Sequence, residues 1–342
     1  MTIALDATYS IGEHLSGVGI YSHEILFGLA AAHPEAKLRF YYRPHRYLRS
    51  FGQRLPSNVR RRILHDRFPL GHAQLFHGLN QRLPGRRARF AISTFHDLFV
   101  LTSEYSTPEF RLRFSEQARR AAAESTRIIA VSQFTAKQVT ELLGVEPDRI
   151  RVVHHGVRQL ALPRLKREPV VLHVGAIQVR KNIARLVEAF EKTDINWRLV
   201  LAGSFGYGAE QILRRIEASP ARDRISVTGY ISPQALAAWY ARASIFAFPS
   251  LDEGFGMPVL EAMAAGLPVI ASNTSAIPEV TGGAAMLIDP LDIDQLTTAL
   301  RELTAQEEKR LEWAIRGARR AGAFTWAKAV GETWRIYEEL LG

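Results

Sequence analysis

Ser244-Ile-Phe-Ala-Phe-Pro-Ser-Leu-Asp-Glu-Gly-Phe-Gly-Met-Pro-Val-Leu-Glu-Ala-Met-Ala-Ala-Gly-Leu-Pro-Val-Ile-Ala271 reads as strand, loop, helix and strand. The apolar run 245–249 has the composition of a strand buried on both faces. A loop holding Asp252, Gly254 and Gly256 follows, and Pro258 suits the first turn of a helix expected over 259–265. Gly266 provides a left-handed cap, Pro268 forbids continuation, and 269–272 is a second buried strand. Such a unit belongs to a parallel, doubly wound sheet. It carries two carboxylates eight positions apart, Glu253 in the loop and Glu261 in the helix. Glycines at 254 and 256 let backbone approach a ligand, and helix-start N–H groups suit an anion. Since a carboxylate accepts two hydrogen bonds from a diol, the pair suits sugar hydroxyls beside a phosphate. A solitary acid at that position would only favour the helix dipole.

The same grammar extends both ways. Residues 2–7 form a strand, Ser16-Gly-Val-Gly-Ile-Tyr21 a glycine turn behind it, and a helix runs to about residue 32. Strands follow at 73–77, 91–94, 127–131 and 150–154, with helices at 108–125 and 132–143. After a linker at 160–169 the pattern restarts: a strand at 170–174, then Gly175, then Arg180-Lys181-Asn182 before a helix from 183, with Asn182 as its cap. Arg180 and Lys181 beside a helix start suit a diphosphate, Arg as a fork of donors and Lys as a point charge. Further strand–helix pairs lead through the quoted stretch to a strand at 284–288 and a helix at 292–303. Two such arrays predict an α/β protein of two Rossmann-like domains with parallel sheets facing a central cleft. The boundaries expected are 1–160, 170–323, and a C-terminal helix over 324–342 crossing back to the first domain.

Composition narrows the function. With 342 residues, 47% hydrophobic, the chain can bury a large core over two domains. The lack of cysteine excludes disulfides, Fe–S clusters, thiolate zinc sites and a thiol nucleophile. Neither an export signal nor a run of about 18 apolar residues is read, so a cytoplasmic protein is expected, peripheral on the inner membrane face at most. No metal-binding or Walker-type motif is present, and no metal or cofactor is assigned. Residues 1–165 hold 24 Lys and Arg against 13 Asp and Glu, so the whole net charge of +10 resides in the first half. An anionic partner for that half is implied. Within it, arginines alternate with aromatics over 38–67. Three readings fit: a basic surface with core aromatics, an interfacial segment on anionic lipid, or a nucleic-acid strip. The last is the least favoured, and no nucleic-acid partner is expected.

Together these residues resemble a family 4 retaining glycosyltransferase of the GT-B fold. The resemblance runs end to end, through S-G-V-G-x-Y, F-H-D-L, H-H-G-V, H-V-G-x-x-x-x-R-K-N, E-G-F-G-x-P-x-L-E-A-M-A-x-G-x-P-V-I-A and T-S-A-I-P-E-V. It is most similar to bacterial mannosyltransferases of surface polysaccharide and glycolipid synthesis. The resemblance implies a nucleotide-sugar donor, GDP-mannose for preference, and a lipid-linked or glycan acceptor. It makes Arg180 and Lys181 the diphosphate holders and leaving-group stabilisers. Glu253 would contact the donor sugar with backbone N–H groups of Gly254, Phe255, Gly256 and Met257, and Glu261 the ribose. Gly17, Gly19 and Gly175 would line the donor, and His96 would touch the sugar near the reacting carbon. Ser16 stands where relatives often carry glycine. Competing readings are a UDP-sugar transferase, a nucleotide-sugar epimerase or hydrolase on the same fold, and a non-catalytic basic adaptor.

Overall fold

The computed structural model describes residues 2–12, 15–68, 70–85, 88–158 and 160–342. The chain divides into two compact units, one of Met1–Thr102, Pro108–Gly156 and Thr325–Gly342, the other of Ser103–Thr107 and Val157–Phe324.

The first unit is built on seven parallel strands, β1 (Thr2–Asp6), β2 (Lys37–Tyr42), β3 (Val59–Ile63), β4 (Leu75–Gly78), β5 (Phe90–Phe95), β6 (Arg127–Ala130) and β7 (Ile150–Val152), in the order β3-β2-β1-β4-β5-β6-β7. Its helices are α1 (Gly17–Ala32), α2 (Pro44–Tyr47), α3 (Phe99–Thr102), α4 (Pro108–Glu124) and α5 (Gln133–Leu143). Alternation along β1 separates two cores. Ile3 and Leu5 face α1, whereas Ala4 faces the small residues Ala118, Ala121 and Ala122 of α4.

Two expectations are corrected here. Gly17 and Gly19 lie in the first turn of α1, not in a preceding loop. Ser16 explains why: its hydroxyl accepts the Gly19 N–H at 3.3 Å, so it caps the helix and starts it early. The aromatic–arginine stretch, for which no element is expected, supplies β2, α2 and β3. Its inward aromatics Phe40, Tyr41 and Tyr42 are core, and its arginines are mostly outward. Strand alternation was hidden there because arginine recurs on no regular face.

The second unit has six parallel strands, β8 (Val170–Val174), β9 (Arg198–Ala202), β10 (Ile225–Gly229), β11 (Ile245–Phe248), β12 (Val269–Ser272) and β13 (Met286–Ile288), ordered β10-β9-β8-β11-β12-β13. Helices α6 (Ile183–Glu191), α7 (Ala209–Glu217), α8 (Pro233–Arg242), α9 (Met257–Ala264), α10 (Ile277–Thr281), α11 (Ile293–Ala305) and α12 (Glu307–Ala321) connect and cover them. Helix α12, absent from the sequence reading, packs on α9 with Gly317 against Met263, where a Cβ would come within 3.1 Å of Met263 Cγ. Residues 160–169 carry no helix or strand. Arg167 nonetheless ties them down, donating to the carbonyls of Tyr240, Ala243 and Ala265 at 2.5–2.8 Å.

The last helix, α13 (Trp326–Leu341), belongs to the first unit and packs along α1. Trp334 stacks on His33 with ring centroids 3.6 Å apart, and Tyr337 is fully buried. Among the described residues no helix is long and apolar enough to cross a membrane.

Candidate functional site

In the second sheet the strand order reverses between β8 and β11, and chain leaving the carboxyl ends of these neighbours is where an open α/β sheet holds ligands. After β8 the chain makes a tight turn over Val179–Lys181, and after β11 it forms the loop containing Ser250 to Glu253. The two are pinned together. The Leu251 N–H donates to the Arg180 carbonyl at 2.8 Å, and Ser250 Oγ to the same oxygen at 3.2 Å.

This pinning gathers three of the expected residues. Lys181 Nζ donates to Glu253 Oε1, Arg180 Nη1 lies 3.2 Å from the same oxygen, and Ser250 Oγ donates to it at 2.5 Å. Arg180 Nη1 also donates to the Asp252 carbonyl. All of these side chains are buried. Burial alone would push the Glu253 carboxyl up, but Arg180 and then Lys181 overcome it and hold the group down to about 2. The knot therefore brings a guanidinium and an ammonium to one carboxylate. A fork of donors beside a point charge suits an anionic ligand such as a phosphate.

His173, which the sequence reading left without a role, adjoins the knot. Its Nδ1 donates to the Ala247 carbonyl at 3.0 Å, which leaves Nε2 as a lone pair, buried and without a partner among the described residues. Burial holds His173 to about 4, so the ring is neutral at neutral pH. Phe248 stacks on it, and Lys181 Nζ sits 4.8 Å over the Phe248 ring. Gly175 keeps this corner open: a Cβ there would lie 3.4 Å from both His173 Nε2 and Lys181 Cε. The only advance sign of His173 was its place at the end of a buried strand, two residues before that glycine. Asn182 does not cap α6 through its side chain as expected. It takes a left-handed conformation at φ 56° and its Nδ2 donates to the Pro290 carbonyl at 2.7 Å.

Glu253 is fixed from behind by Ser275, whose Oγ accepts its N–H at 3.0 Å. Gly254 and Phe255 lead to Gly256 at φ 99°, where a Cβ would also strike Ile277 Cδ1 at 2.6 Å, and Met257 opens α9. Phe255 turns its ring toward Phe324, with centroids 5.9 Å apart, so its backbone rather than its ring is what can face a ligand. Glu261 falls in the second turn of α9, not the first, and stands outside the knot. It accepts the Tyr240 hydroxyl at 3.0 Å. Burial raises its pKa, with the charge of Arg158 opposing.

Gly17, Gly19 and His96 belong to the first unit. Gly19 is required by packing, since a Cβ would sit 3.0 Å from the Tyr9 carbonyl. His96 Nε2 donates to the Leu79 carbonyl at 2.9 Å. Its ring meets Tyr21 edge-on at 4.8 Å and stacks on His155 at 5.4 Å. Below it a buried chain of hydrogen bonds runs from Tyr21 Oη to Thr94 Oγ1 (2.9 Å), His77 Nε2 (2.9 Å) and, across the ring, from Nδ1 to Tyr337 Oη on α13 (2.6 Å). Burial pushes His77 to about 3 and His96 to about 4, so both rings are neutral. Among the described residues no cluster of His, Asp and Glu could hold a metal ion.

Residues 8–158 match the family model for Glycosyltransferase Family 4, and residues 161–320 match that for glycosyl transferases group 1. The chain belongs to this glycosyltransferase family. It is 29% identical over 377 aligned positions to an O-antigen chain mannosyltransferase of Escherichia coli, covering 98% of this chain and 99% of that one. It is 30% identical to an α-(1→4)-mannosyltransferase of Mycolicibacterium hassiacum, over 67% of this chain and 57% of the relative. Among solved structures, a sucrose-phosphate synthase from Thermosynechococcus elongatus superposes with a TM-score of 0.78 over 99% of each chain at 22% identity, which establishes the shared GT-B fold. The chain is thus a glycosyltransferase, and its substrates are a nucleotide-sugar donor and a glycan acceptor.

Proposed function

We propose that this glycosyltransferase moves mannose from GDP-mannose to a hydroxyl of a polysaccharide or lipid-linked glycan, with retention of anomeric configuration. The observation that carries the reading is the buried Arg180–Lys181–Glu253 knot at the strand reversal of the second sheet. The mannosyl preference is supported by the relatives' names. In this reading the two cations receive the donor diphosphate and stabilise charge as it develops on the leaving group, a role that preorganised donors perform without reorganisation. Glu253, already held by Ser250 and Ser275, presents carboxylate to sugar hydroxyls, and Glu261 presents carboxylate to the ribose. Acceptor attack comes from the leaving-group face and the donor phosphate takes the acceptor proton, so no protein nucleophile is assigned.

Because Arg180 and Lys181 supply the charge, the reading requires no metal, and transfer should persist undiminished in EDTA. The first test is thermal stabilisation by GDP, UDP, GDP-mannose, UDP-glucose and UDP-N-acetylglucosamine, since a ligand bound only to the native state must raise the melting temperature. Selective stabilisation by GDP and GDP-mannose is the expected result. Stabilisation by UDP compounds alone would overturn the donor, and silence across the panel would overturn the site. NMR of the product, showing an α linkage, tests retention. Donor consumption at full rate without acceptor would point instead to hydrolysis.

The same proposal places the enzyme on an anionic membrane surface through its first unit. Residues 36–65 contain nine Lys and Arg and no Asp or Glu. An edge strand needs charge to avoid pairing, which accounts for Arg60 and Arg62 on β3. It does not account for Leu48 and Phe51, 79% and 60% exposed in the turn after α2. Phe51 is held outward by Tyr47 and by the Arg61 guanidinium 4.6 Å over its ring. Apolar side chains among cations suit the headgroup boundary. Co-sedimentation with phosphatidylglycerol vesicles, absent with phosphatidylcholine and lost in Leu48→Glu/Phe51→Glu, is expected. Equal binding of duplex DNA by both proteins would replace lipid with a bare polyanion.

A further inference from the structure

In the first sheet the strand order reverses between β1 and β4, and a crevice of about 390 Å³ opens there. Its walls are chain just past the carboxyl ends of those strands, Tyr9 after β1 and Asn80 with Arg82 after β4, together with the start of α1 and one face of α4. Arg113, Phe114 and Gln117 recur on that face at helical spacing. This is the place where an open α/β sheet takes a ligand. The second sheet commits its own reversal to the Arg180–Lys181 knot, so the two reversals present different side chains.

The lining is chemically specific. Asn80 is only 8% exposed and its side-chain oxygen has no hydrogen-bond partner among the described residues. A buried polar group left unsatisfied asks for a partner from a ligand. Gln117 adds a second amide, and Tyr9 and Phe114 add aromatic rings to the lining. Neither Arg82 nor Arg113 has a carboxylate within ion-pair distance among the described residues. Arg113 rests over the Phe110 ring at 5.8 Å, and Arg82 acts only at longer range on buried Asp6. Two guanidinium forks beside amides and rings match a sugar bearing an anionic group better than a neutral glycan.

We propose that this crevice is the acceptor site and selects a sugar carrying a phosphate or carboxylate. The anion lies on Arg82 and Arg113, the hydroxyls lie on Asn80 and Gln117, and the ring lies against Phe114. The inference rests on the transferase reading above and names the class of its acceptor.

The test is calorimetric titration of the whole chain at fixed ionic strength, with the donor site saturated by the nucleotide that stabilises it. Probes are methyl α-mannoside, mannose 6-phosphate, the methyl glycoside of mannuronic acid, and inorganic phosphate. One charged sugar should bind about tenfold tighter than methyl α-mannoside, as charge-assisted hydrogen bonds allow, and which one identifies the anion. Arg82→Gln/Arg113→Gln should abolish the preference while keeping the nucleotide's thermal shift, which shows the variant folded. Lys181→Gln should keep the preference, which separates this site from the donor's. Equal binding of charged and neutral sugars, inorganic phosphate binding as tightly as either charged sugar, or an unchanged double variant would each overturn the inference. A chain that binds charged sugar but that no nucleotide stabilises would leave the crevice standing and remove the transferase reading.

Discussion

Glu253 is the residue on which the candidate donor site turns, and its environment makes a signed prediction. The folded carboxyl is held near 2 by Arg180 and Lys181 against burial, below its ordinary 4.5. A depressed carboxylate contributes stability above its unfolded pKa and loses it as pH falls through the folded value. That contribution, on the order of 3 kcal/mol, is complete above pH 4.5 and fades between there and about 2. Chemical unfolding of wild type and Glu253→Gln should show the gap between them closing over that window, and a constant gap would deny the coupling. Lys181→Ala leaves the carboxylate with Arg180 and the Ser250 hydroxyl. It should destabilise the chain by about 2–4 kcal/mol and reduce transfer by about a hundredfold or more, measured by denaturation and by product formation. Neither Ser250 nor His173 was legible as part of this site. Ser250 reaches Glu253 three positions on through the fold of one loop, whereas His173 reaches the Ala247 carbonyl, 74 positions away, because β8 lies beside β11.

At the scale of elements, α13 shows how tightly one helix is seated. Gly28 on α1 meets Val330, where a Cβ would lie 2.5 Å from a methyl that can rotate aside. Gly156, at the end of the H-H-G-V segment, meets the backbone of Trp326, and its Cβ would lie 2.3 Å from that nitrogen. A side chain yields and a backbone does not. Gly156→Ala is therefore expected to cost about 3 kcal/mol and Gly28→Ala about 1 kcal/mol, the latter offset in part by alanine's helix propensity. Calorimetry of the two variants checks the order, and the reverse order would mean that α13 shifts freely. The starts of α1 and α9 make a related contrast. Pro258 announced α9, whereas Ser16 caps α1 at the very start of the stretch 16–21 that reads as a turn.

For the whole molecule, the buried histidines set the acid limit. His77, His96, His155 and His173 are all kept neutral by burial, below the ordinary 6.5. The unfolded chain takes up protons below 6.5 that the folded chain refuses. Stability is therefore full above that pH and falls as pH drops toward 4, by about 1.4 kcal/mol per pH unit for each histidine. His77→Gln should remove about one proton from that slope, read by calorimetry between pH 6 and 4.5. An unaltered slope would mean that His77 is protonated when folded.

What the sequence determined by itself is the periodic and the local. Buried apolar strands, proline and glycine at helix ends, and the spacing of Glu253, Glu261, Arg180 and Lys181 disclosed a twin-sheet α/β glycosyltransferase, because each is written in neighbouring residues. The arginine-rich strands β2 and β3 escaped, since their faces are set by sheet neighbours rather than by alternation. Only the tertiary structure decided which side chains share a site: that Glu253 joins the knot while Glu261 pairs with Tyr240, that His173 completes a corner, and that Asn80 and Arg113 line one crevice. The physical reason is that a strand reversal brings distant chain ends together, and the burial and charge there arise from their sum.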